Sequence, residues 1–117
     1  MQLHSVLEMP VQPISRPGAY EQYRGQQVLS ASPTQLLLMV YEQAVVQCEA
    51  QDAQRASRAI TELIGALNFD AGEVAVDFFR LYEYCLWEIR KRHFADAAHI
   101  LRRLKTAWEE ALQGRQN

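Results

Sequence analysis

At 117 residues, about half of them apolar, the chain is long enough for one compact domain with a single core. A formal charge of −2, from 12 basic and 14 acidic side chains, excludes the global basic field that holds nucleic acid or an anionic membrane. The longest apolar run, Leu36 to Val46, is broken by Glu42 and Gln43 and falls short of the roughly 20 residues of a membrane span. Met1 to Pro10 has no basic n-region and no long apolar stretch, so a cytoplasmic protein is expected.

Residues 1–31 hold Pro10, Pro13 and Pro17, the last followed by Gly18, and no regular element runs through much of such a stretch. We read it as an N-terminal arm in which Ala19 to Leu29 has the composition of a short helix, weakened by Gly25. Residues 32–113 are predicted to form four helices, near 32–48, 53–67, 71–92 and 95–113.

The first starts at Ser32-Pro33-Thr34-Gln35, a capping box with Pro at the first helical position. Leu37, Val40, Tyr41, Ala44, Val45 and Cys48 share one face, while Met39 and Val46 point the other way. Asp52 is placed to cap the second helix, whose Ala56, Ala59, Ile60, Leu63, Ile64 and Leu67 fit one amphipathic stripe. Asp70 and Glu73 occupy the cap and N3 places of a further capping box before the third helix. Its expected core stripe is Val74, Phe78, Leu81, Tyr82, Cys85 and Ile89, with Val76 and Trp87 nearly opposite. It ends in Arg90-Lys91-Arg92-His93, cations that suit a helix C-terminus. The fourth carries Ala97, Ile100, Leu101, Leu104, Ala107, Trp108, Ala111 and Leu112 on one face, and Gly114 reads as its stop. Short connections favour antiparallel neighbours, hence an all-α, up-down-up-down four-helix bundle.

No nucleophile–base pair, metal spacing or phosphate loop stands out, so neither catalysis nor a cofactor is expected. Asp96 and His99 form half of a carboxylate-x-x-His motif, but a di-metal bundle needs two copies, and a helix-start Asp with a surface His accounts for them. Arg90 to His93 with Arg102, Arg103 and Lys105 lacks the interleaved aromatics of a nucleic-acid surface and reads as a solvated helix end. Cys48 and Cys85 read as reduced core thiols.

Surplus apolar surface remains: Met39 and Val46 on the first helix, Val76 and Trp87 on the third, with Tyr84 nearby. An apolar face in a small bundle is covered by something. Periodicity leaves three coverings open: a diagonal pairing of helices 1 and 3, the arm with its Tyr20 and Tyr23 folded back, or a partner protein.

Ala19-Tyr20, Ser30-Ala31-Ser32-Pro33 followed by Leu36 to Tyr41, Arg58-Ala59-Ile60, Gly72-Glu73, Leu81-Tyr82-Glu83-Tyr84 and Ala107-Trp108-Glu109-Glu110-Ala111 occur in this order. Together they resemble the FliS family of flagellin export chaperones, over residues 19–112. The resemblance implies an antiparallel helical bundle that binds the C-terminal segment of flagellin and prevents premature polymerisation. It further implies delivery of that subunit to the flagellar type III export gate, with Tyr20 as the family's arm tyrosine, lying over the binding surface when no client is present. The chain departs from the family pattern at Cys85, usually Met, at Arg92-His93, usually Ala-Asn, and at Ala71, usually Gly. It is also shorter between Met39 and Ala59 and between His93 and Trp108, at two hairpin tips on one end of the bundle. The partner-binding residues expected are Tyr20, Tyr23, Met39, Val46, Val76, Tyr84 and Trp87. The alternative is a regulatory adaptor that holds a transcription regulator or a co-chaperone by the same surfaces.

Overall fold

The structure is a computed structural model that describes residues 32–116; the expected arm, its short helix, Tyr20 and Tyr23 lie outside them. The described residues form four helices and no strand: α1 Pro33–Glu49, α2 Ala53–Gly65, α3 Glu73–Arg90 and α4 Phe94–Gln116. Each helix packs on its sequence neighbours and α1 closes on α4, as expected for a four-helix bundle. Fully buried Tyr41, Cys48, Ile60, Leu63, Tyr82, Cys85, Ile89 and Leu101 fill the centre. Packing is uneven: α1 lies closely along both α2 and α4, whereas α3 is held less closely on both flanks.

Helix starts follow the local chemistry in two of three cases. The Ser32 hydroxyl accepts from the Gln35 N–H at 3.2 Å while the Ser32 N–H donates to Gln35 Oε1 at 2.8 Å, a complete capping box. Asp52 Oδ1 accepts from the Arg55 N–H at 3.0 Å and starts α2. The expected Asp70–Glu73 box does not form. Asn68 Oδ1 accepts the Asp70 N–H instead, setting a 3₁₀ turn at Phe69–Ala71, and α3 starts from Gly72 at φ 82°, without a side-chain cap. Only glycine takes that conformation at little cost, so backbone geometry replaces the carboxylate.

Helix ends differ more from expectation. Gly114 does not stop α4, which continues to Gln116; a glycine ends a helix only where the chain turns left-handed, and here it does not. The left-handed positions fall on Gln51 (φ 58°) and Arg92 (φ 67°). At both, the next two N–H groups return to the last turn: Gln51 to the Cys48 carbonyl and Asp52 to Gln47, Arg92 to Ile89 and His93 to Glu88. These are paired Schellman closures made without glycine, and they give the α1–α2 and α3–α4 hairpins the same tight turn.

Candidate partner-binding surface

Three of the sequence segments singled out above meet inside the bundle. Tyr41 of α1 and Tyr82 of α3 share a hydrogen bond at 2.5 Å, and the Trp108 indole N–H of α4 donates to the Tyr41 hydroxyl at 3.2 Å. Phe78 stacks on Trp108 with ring centroids 5.6 Å apart, and lies 6.0 Å from Tyr82. Burial pushes the Tyr41 phenol up to about 12, against the opposing hydrogen bonds from Tyr82 and Trp108. The Tyr82 phenol is raised too, first by burial and then by the neighbouring Tyr41. Both remain neutral hydrogen-bonding groups at physiological pH, so the cluster is a polar staple through three helices and not an acid–base device.

Outside this staple the apolar surface is redistributed. Val74 and Leu81, expected in the core stripe of α3, are 52% and 39% exposed, and Phe78 is half-buried. Residues 74, 78 and 81 share the flank of α3 that faces α4, as the Phe78–Trp108 stack fixes. Across it, Ala107 and Ala111 of α4, also expected in the core, are exposed. Two alanines fill little space, and α3 is not drawn in closely, so the larger side chains opposite stay in solvent. Little in the sequence marks this; the clue was the pairing of alanines on one α4 edge with large residues on α3.

The expected site residues separate into two groups. Tyr84 and Trp87 are about half exposed, and Val46 is exposed on α1. Met39 and Val76 are half-buried. Because α1 and α3 stand diagonally, with α2 and α4 between them, their outer faces do not form one patch. Tyr84, Trp87 and Val76 belong with the α3 surface; Met39 and Val46 face elsewhere. Phe69, exposed at the α2–α3 turn edge-on to Phe79, was not anticipated.

A family model described as flagellar protein FliS matches residues 16–115. The chain belongs to the FliS family. Comparison with curated proteins and with solved structures gives no match. FliS proteins are flagellar export chaperones, a non-enzymatic class. In this FliS chain the family-like segments ending at Tyr41, around Tyr82 and around Trp108 are those joined by the aromatic staple. Its departures are also placed: Cys85 is a fully buried core thiol, Ala71 lies in the 3₁₀ turn, and Arg92-His93 closes the α3–α4 hairpin.

Asp96 does not pair with His99 in this FliS chain; it lies with His93 and the buried Glu88, one potential ligand atom from each within 4.8 Å of the others. The Lys91 ammonium stands 3.0 Å from Glu88 Oε1 and the His93 imidazole 3.6 Å from the same atom. The Lys91 hydrogen bond holds the Glu88 carboxyl below its usual range in spite of burial. The protein's own Lys91 thus already engages the Glu88 carboxylate of this group, at the α3–α4 hairpin. Two further ion pairs, Lys105 to Glu42 at 2.9 Å and Arg102 to Glu49, tie α4 to α1. No helix among the described residues is long and apolar enough to cross a membrane.

Proposed function

We propose that this FliS-family chain is a cytoplasmic export chaperone that binds the C-terminal segment of flagellin, prevents its premature polymerisation and assists its delivery to the type III export gate. The observation that carries the reading is the exposed apolar surface of α3, with Val74 and Leu81 on the flank beside the alanine edge of α4 and Tyr84 and Trp87 on its outer side. A helix of a client lays its apolar side into such a furrow, and the exposed α3 residues enter between its turns. Met39, Val46 and Val76, with Tyr20 and Tyr23 of the arm, are the other proposed contacts. The work is physical: covered surface cannot self-associate, and no bond changes.

Size-exclusion chromatography with a flagellin C-terminal peptide from the same organism tests this. Co-elution is expected, and Leu81→Glu should abolish it while leaving the helical content unchanged. Separate elution, with recovery of a regulator instead of flagellin from the native cell, would favour the adaptor reading.

A further inference from the structure

The α3 surface changes character along its length. Around its first three turns the apolar strip stands among Asp70, Glu73, Asp77 and Glu83, with Arg80 held near Asp77. Toward the α3–α4 turn the sign reverses: from Tyr84 to Arg103 the cations Arg90, Lys91, Arg92 and Arg103 stand against two carboxylates, Arg102 being taken up by Glu49 of α1. One of the two, Glu88, is buried and engaged by Lys91. Trp87, 53% exposed, lies in this region. The Arg90 guanidinium is 5.6 Å and the Lys91 ammonium 5.8 Å from its ring centroid. Among the described residues Arg90 and Arg92 have no carboxylate partner; Arg92 rests instead over Phe94 at 5.2 Å. An exposed tryptophan beside one arginine without a carboxylate partner, with a second such arginine at the adjoining turn, is the composition of a binding hot spot for an anionic, partly apolar ligand.

We infer that the polypeptide taken by this surface is acidic where it crosses the α3–α4 turn, with an apolar side chain seated on Trp87 and Asp or Glu side chains meeting Arg90 and Arg92. This rests on the reading that the α3 strip binds an amphipathic segment, but not on that segment being flagellin. The opposite charges at the two ends of the strip then fix the direction in which the segment lies. Reversed, its carboxylates would face Asp70, Glu73 and Asp77.

The test uses the full chain and two labelled synthetic amphipathic peptides with the same leucine positions, one with Glu and one with Lys at the polar positions, read by fluorescence anisotropy. The Glu peptide should bind at least about tenfold more tightly at low salt, a gap worth about 1.4 kcal/mol that closes toward 0.5 M salt. The double variant Arg90→Glu, Arg92→Glu should reverse the preference, and Trp87→Ala should weaken the Glu peptide about tenfold or more. Equal binding of the two peptides would overturn the acidic assignment and leave apolar docking intact. Binding of neither peptide would overturn both. Tighter binding of phosphatidylglycerol vesicles than of the Glu peptide, lost in the double variant, would assign the patch to a membrane and overturn the inference; salt dependence of the unmodified chain decides the matter should the variant not fold.

Discussion

Trp108 and Trp87 differ in what each touches. Trp108 stacks on Phe78 and donates to the Tyr41 hydroxyl, so its truncation empties a half-buried site and removes one donor from a buried phenol pair. We expect Trp108→Ala to lower unfolding free energy by about 3 kcal/mol and Trp108→Phe, which keeps the stack and loses the donor, by about 1 kcal/mol. Among the described residues Trp87 lies outside the core cluster, with Arg90 and Lys91 over its ring, and Trp87→Ala should change stability by less than about 1 kcal/mol. Urea unfolding of the three variants gives the order; a Trp87 variant as unstable as the Trp108→Ala variant would place its ring in the core. The periodicity of α3 separates Trp87 from the buried Tyr82, Cys85 and Ile89, because one helix's own geometry suffices for that. It could not separate Val74 and Leu81 from them, because their exposure depends on what stands opposite.

At the scale of elements, helix starts were more legible than helix ends. Ser32 and Asp52 cap through their own side chains, a contact made within four residues. Asp70 had the same spacing to Glu73, yet Asn68 captured its N–H and moved the start of α3 to Gly72. Gly72→Ala should therefore lower stability by roughly 1–2 kcal/mol although a methyl group meets nothing within 4 Å, since the cost lies in φ and not in space. The ends of α1 and α3 turn on Gln51 and Arg92, residues that pay a left-handed penalty glycine avoids. Gln51→Gly should raise stability by about 0.5–1 kcal/mol, read as a higher thermal midpoint with unchanged helicity. A fall in that midpoint would mean that the Gln51 side chain contributes more than its backbone strain removes. With no glycine at either hairpin, the sequence did not mark which residues would turn left-handed, although the cations from Arg90 onward did mark the end of α3.

For the whole molecule, the buried titratable groups predict a response to alkali. Burial raises Tyr41 to about 12, Cys48 to about 11 and Cys85 to about 12 from ordinary values of 10.0 and 9.0. The native state keeps these protons while the unfolded chain loses them, so their contribution is complete below the ordinary values and is lost as pH rises through about 9 to 12. Tyr41 alone accounts for roughly 1.4 kcal/mol of the fall by pH 11, and Tyr41→Phe should flatten the upper part of the profile. Thermal midpoints measured from pH 7 to 11 check it, and a midpoint unchanged at pH 11 would contradict the burial of these groups. The sequence by itself determined the four helices, their approximate bounds, the stripe of α2 and the family, because caps, helical periodicity and short motifs are local signals. Only the tertiary structure decided that Tyr41, Tyr82 and Trp108, separated by 41 and 67 positions, join one staple. It also decided that Val74 and Leu81 stand open beside Ala107 and Ala111. Burial is a property of two surfaces, and the periodicity of a single helix describes one of them.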